Sequence, residues 1–149
     1  MSDAMGATGA KTPWHLWVVG VLAVLWNSYG AFDFAATMIR LEPYLEGFLG
    51  MSGSQIDFFL SFPWWQKVLW LIGTWGGFLG AVLLLMRKRL AVWFLGASFL
   101  GALASMVNGM MIKDMPEGLD PGSMPIVIIL VALLLAAYAW WMSRRDVLR

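Results

Sequence analysis

The chain has 149 residues, 60% of them hydrophobic and only 13% charged, with a mean hydropathy of +0.74. A soluble domain carries about 45–50% apolar and about 25% charged residues, so this surplus of apolar surface exceeds what so small a core can hide and must face lipid. A net charge of +1 excludes the basic face of a nucleic-acid binder, and the lack of cysteine excludes disulfides, thiolate nucleophiles and Cys-based metal centres.

Residues 1–12 are small and polar without apolar periodicity, and read as a flexible cytoplasmic tail rather than a secretory signal. The remainder, 13–149, reads as a single all-α domain, a bundle of four transmembrane helices. The first span is expected over about 14–39, with Thr12 as its cap and Pro13 in its first turn. It is longer than the roughly 20 residues a bilayer core needs. Residues 40–62 form an acidic connection broken by Pro43, Gly47, Gly50 and Gly53. Within it Ile56, Phe58, Phe59 and Phe62 are too apolar for a free loop, and predict a short interfacial helix capped by Ser54 with its phenylalanines toward lipid. The second span is expected over about 63–86, entered through Trp64 and Trp65 and stopped by Arg87-Lys88-Arg89. The third follows over about 90–112. A short acidic turn then leads to the fourth, about 125–142, which is the richest in Leu and Ile and so the most lipid-exposed.

Charge sets the orientation. With the N-terminus inside, Lys11, Arg87, Lys88, Arg89, Arg144, Arg145 and Arg149 all lie on the inner side, seven of the ten basic residues. The acids Glu42, Glu46, Asp57, Asp114, Glu117 and Asp120 fall outside. The positive-inside rule therefore predicts that both termini are cytoplasmic.

One stretch, Trp26 to Thr37, holds several polar side chains inside an apolar segment. Gly20, Ala23, Asn27, Gly30, Asp33, Thr37 and Arg40 recur at steps of three or four, which places them on one stripe of the first helix. Such a stripe faces protein, because small residues admit a neighbouring backbone and polar ones need partners across helices. Asp33 lies near the outer end of its helix. Counting from the other helix starts puts Gln66, Lys67 and Asn108 at the same level. These residues, with Tyr29 and Asn27 beneath, form the candidate binding cluster on the outer side. Lys67 is the first expected ionic partner of Asp33 and Arg40 the second. Such a group either forms a solute site or fixes helix register.

In the second span Gly73, Gly77 and Gly80, and in the third Ala97, Gly101 and Ser105, follow the small-x-x-x-small spacing of close helix crossings. Trp26, Trp70 and Trp75 lie deeper than interfacial tryptophans and read as core or lipid contacts, with sugar stacking as the other possibility. The sequence holds no Ser–His–acid set, no metal-spaced cluster and no phosphate-binding glycine loop, so neither enzyme chemistry nor a metal or cofactor is expected.

The run Trp26-Asn27-x-x-Gly30-x-x-Asp33 with Thr37 and Tyr44, the Phe62-Pro63-x-Trp65 step, and Trp75-Gly76-Gly77-x-x-Gly80 resemble a family of uncharacterised small four-span bacterial inner-membrane proteins. Its members are often automatically labelled "sugar transporter". The resemblance covers roughly residues 14–149. It implies a multi-pass protein of the bacterial inner membrane with its outer cluster on the periplasmic side, and directs attention to Asn27, Gly30 and Asp33. Two functional readings follow. The first is a helix-packing accessory or assembly-forming subunit of a larger membrane complex. The second is a homo-oligomeric small-solute transporter, for a sugar if the family label holds, with its site around Asp33.

Overall fold

A computed structural model describes residues 10–149. Residues 1–9, most of the expected tail, lie outside the described residues. The described part is helical, with no strand. Helix α1 spans Trp14–Met38, α2 spans Gly53–Leu60, α3 spans Trp64–Leu85, α4 spans Leu90–Met111 and α5 spans Met124–Arg144. Helices α1, α3, α4 and α5 are each long and apolar enough to cross a bilayer. At 1.5 Å per residue, the 22 residues of α3 or α4 extend roughly 33 Å, the thickness of a hydrocarbon core. The chain is thus a multi-pass membrane protein built as a four-helix bundle, and the ends of the four spans fall within two residues of those read from hydropathy.

The helix ends follow from local chemistry. Three of the four spanning helices stop in the same six-to-one and five-to-two hydrogen-bond pattern. Leu41 N–H donates to the Ala36 carbonyl at 2.8 Å, Lys88 N–H to that of Leu83 at 2.9 Å, and Val147 N–H to that of Met142 at 3.1 Å. The pattern requires a left-handed residue just past the helix, commonly glycine. Here Arg40 (φ 52°), Arg87 (φ 56°) and Asp146 (φ 55°) take that place. Two of the sequence-based caps are corrected. Thr12 does not cap α1; its hydroxyl accepts from Arg87, and Pro13 occupies the N-cap without a side-chain bond. Ser52, not Ser54, caps α2: its hydroxyl accepts from Gln55 N–H while the Gln55 side chain accepts from Ser52 N–H. Only Ser52 has a Gln three positions on, which completes the reciprocal pair. Pro43, expected to break the connection, instead opens a π-helical turn, Pro43–Phe48.

Helices α3 and α4 are central. Helix α1 packs on α3, and α5 packs on α4. The α3–α4 crossing is a backbone contact. A Cβ on Gly101 would lie 3.0 Å from the Leu69 carbonyl oxygen and 3.1 Å from Gly73 N. One on Gly80 would meet the Leu95 side chain at 2.8 Å, and one on Gly77 would meet Asn27 Oδ1 at 2.2 Å and Ser98 Oγ at 2.9 Å. Gly73, Gly77, Gly80 and Gly101 therefore serve the packing role expected of them. Gly30 is looser, with Thr74 Cγ2 3.7 Å away. Ala97 is not on the packing face and is exposed. The buried face of α4 runs through Ala91, Leu95, Ser98 and Gly101, and Ala97 lies about 100° around the axis from Ser98.

The core gathers at the end of the bundle that carries the termini. Leu16, Leu84, Ala91, Leu95, Ala139, Met142, Val147 and Leu148 form one buried cluster. The segment after α5 folds back across the α3–α4 turn. Arg149 N–H donates to the Arg87 carbonyl at 2.6 Å, Arg89 N–H to that of Arg149 at 2.9 Å, and the Arg89 guanidinium pairs with Asp146 at 3.0 Å. This folding carries Leu148 to full burial. At the same end His15 meets Tyr138 and stacks on Trp141 with ring centroids 6.0 Å apart. These contacts, with Leu16 in the buried cluster beside Ala139 and Met142, join α1 to α5.

Candidate functional site

Toward the other end, α1 and α5 part and leave a cavity of about 680 Å³ between them, walled behind by α3 and α4. The walls differ in character. Helix α5 contributes only apolar side chains, among them Ile128, Ile129, Val131 and Leu135. The opposite wall carries Asn27, Tyr29 and Asp33 from α1, and Gln66, Trp70 and Thr74 from α3. Helix α4 supplies Ser98, Ser105, Met106 and Met110, α2 adds Phe58 and Phe59, and Phe62 follows from the turn after α2. The phenylalanines expected to point to lipid thus line the cavity and pack on one another, and the Phe59 ring lies 5.9 Å from Trp70. The loop between α4 and α5 closes over α2, where Gln55 Nε2 donates to the Glu117 carbonyl at 3.2 Å.

Of the six residues in the sequence-derived cluster, four line this cavity: Asn27, Tyr29, Asp33 and Gln66. Asn108 stands behind them and donates to the Gln66 side chain, which is 5% exposed. Lys67 does not line the cavity and makes no ion pair with Asp33. The reason is rotational. Gln66 points into the bundle, and the next residue is turned about 100° away from it. The second expected partner is also engaged elsewhere, since Arg40 pairs with Asp57 at 2.5 Å.

Asp33 instead accepts from the Tyr44 hydroxyl at 2.9 Å, and the Tyr44 and Tyr29 hydroxyls lie 3.1 Å apart. Tyr44 belongs to the π-helical turn, which folds back over the end of α1. Its ring packs edge-on to Phe32 at 4.9 Å. Burial, and then its bonds to Tyr29 and Asp33, push the Tyr44 hydroxyl well above its ordinary pKa, so it stays protonated and able to donate. Sequence reading missed this partner. The signal was an aromatic residue eleven positions after the acid, in a connection with no periodicity to place it.

Deeper in the cavity Asn27 Nδ2 donates to the Ala23 carbonyl at 2.8 Å, and Ser98 Oγ donates to that of Gly73 at 2.6 Å. Ser105 Oγ is buried with no hydrogen-bond partner among the described residues. Ser105 was read as a packing residue, and the structure also sets it in the cavity wall. Trp26 and Trp70 line the cavity, whereas Trp75 packs beside Phe78 at 5.9 Å outside it. No group of three His, Asp or Glu comes together among the described residues. The cavity thus offers a large apolar volume with a short row of polar atoms along one side, a pattern that holds and orients a small molecule. Comparison with protein-family models, curated proteins and solved structures finds no match for this chain.

Proposed function

We propose that this membrane protein binds a small amphipathic molecule in the cavity between α1 and α5. The observation that carries the reading is the cavity itself, about 680 Å³ with one apolar wall and one polar edge. Its volume falls within the range of roughly 300–1,000 Å³ typical of small-molecule sites. The unpartnered Ser105 hydroxyl adds support, because a buried polar atom without a partner costs free energy that a ligand can recover. The walls suit an apolar body better than a sugar, which needs polar partners around its whole rim. Of the two sequence-derived readings, solute handling is therefore preferred, with the solute mostly apolar.

For the subunit reading, Gly73, Gly77, Gly80 and Gly101 offer no free face to a partner, because they pack against neighbouring helices of the same bundle. Homo-oligomeric assembly of a transporter would use the apolar surface that all four spanning helices leave exposed. We place the protein in the bacterial inner membrane with both termini in the cytoplasm, on the basic charge at the termini end and the family resemblance. The cavity then opens toward the periplasmic half of the bilayer.

Native mass spectrometry of the protein extracted in mild detergent tests the reading. A retained small amphiphile, displaced when Ser105→Leu or Ala132→Trp fills the cavity, is the expected result. Stoichiometric co-purification of a partner helix that occupies the α1–α5 gap, with no retained small molecule, would restore the subunit reading.

A further inference from the structure

The cavity lining includes one acidic side chain, Asp33, and no basic one. Asp33 receives a hydrogen bond from Tyr44 but no cation, because Arg40 is paired with Asp57 and Lys67 makes no ion pair among the described residues. A carboxylate within a membrane span is costly unless it faces a partner of opposite charge. Here no such partner meets Asp33 among the described residues, while the space for one is present. The surroundings suit a cation of a particular kind. Tyr29, Trp26 and Trp70 line the same cavity, and aromatic faces attract a positive charge. A bare or hydrated metal ion would need several oxygen ligands, and the apolar walls do not supply them.

Resting on the small-molecule reading above, we propose that the ligand is a lipophilic organic cation: an amine or quaternary centre at Asp33 with an apolar body against α5. Tyr44 then positions the carboxylate. It holds one oxygen from the loop side and leaves the other directed to the ligand, with Tyr29 beside it. The cavity discriminates by charge at its mouth and by apolar contact along its length.

Equilibrium dialysis of the purified protein in a neutral detergent, with empty micelles as the blank, tests this. The probes are tetraphenylphosphonium, the neutral triphenylphosphine oxide and the anion tetraphenylborate. The cation is expected to bind at least tenfold more tightly than the neutral probe, and the anion not to bind. Asp33→Asn should abolish the preference while retaining neutral binding, and Asp33→Glu should keep it. Equal binding of cation and neutral probe, or a preference that survives Asp33→Asn, overturns the charge assignment and leaves the cavity reading standing. Binding of none of the three overturns both. Should Asp33→Asn fail to fold, the three-probe comparison on the wild-type protein decides by itself.

Discussion

The contact of Asn27 with Gly77 allows a quantitative test of how α1 seats on the bundle. Gly77→Ala adds a methyl group that would lie 2.2 Å from Asn27 Oδ1 and 2.9 Å from Ser98 Oγ, so Asn27 must move. Moving it breaks the 2.8 Å bond from Asn27 to the Ala23 carbonyl. Overpacking of this kind costs about 1–3 kcal/mol. The lost bond adds about 0.6 kcal/mol, the typical value inside a membrane protein. Alanine returns about 1 kcal/mol over glycine in helix propensity. The net is a destabilisation of roughly 0.6–2.6 kcal/mol. Gly96→Ala is the control, because nothing lies within 4 Å of its added methyl. That variant should be neutral or more stable by up to about 1 kcal/mol. The decisive element is the pair. Asn27→Ala empties the space that the Gly77 methyl needs, so the double variant should be more stable than the two single losses sum to, with a coupling of about 1 kcal/mol or more. Rescue is partial because Ser98 Oγ remains. Reversible unfolding in mixed micelles measures all four proteins. If Gly77→Ala matches Gly96→Ala, or Asn27→Ala gives no rescue, the three-helix contact drawn here is wrong.

Other predictions address the remaining parts. Leu148 is fully buried in the cluster that seals the termini end, so Leu148→Ala should cost about 2–4 kcal/mol in the same unfolding assay, as for other core truncations. Ser52→Ala removes the reciprocal cap of α2 and should weaken that helix by about 1 kcal/mol; amide exchange should quicken over residues 53–56 and stay unchanged in α3 and α4. Tyr44 has a folded-state pKa raised above the ordinary tyrosine value. Its contribution to stability is therefore complete below pH about 10 and is lost as pH rises beyond that, where the unfolded chain ionises first. Tyr44→Phe should flatten the alkaline fall in stability, read from unfolding midpoints measured across that pH range.

How much of this was legible in the sequence depends on the range of the forces involved. The four spans were readable because a bilayer demands about 20 apolar residues whatever the neighbours are. The glycines of the α3–α4 crossing were readable because close approach of two backbones permits little else. Ala97 was misassigned because a spacing of four drifts around a helix, and only the partner shows where the contact face lies. The partners of Asp33 were not legible. Lys67 sits at the right depth but is rotated off the cavity, and Tyr44 arrives through a π-helical turn that leaves no periodic trace. The closing segment was also hidden. Asp146-Val147-Leu148 follows two arginines and reads as a solvated tail, yet backbone hydrogen bonds to the α3–α4 turn carry Leu148 into the core. The cavity could not be foreseen, since nothing in the apolar run of α5 records which of its residues meet α1 and which line an open volume.

The pinning of α5 to α1 near the termini end has a mechanical consequence. Helix α5 is 21 residues long, roughly 31 Å from end to end. It is pinned to α1 through Tyr138 and Trp141, close to its cytoplasm-proposed end, and by the segment that follows. A tilt of about 10° about that pin would displace the far end, Met124, by roughly 4 Å. Such a tilt would carry α5 across the face of α4 and strain the bond between the α4–α5 loop and α2, so these two contacts set how far the cavity can open.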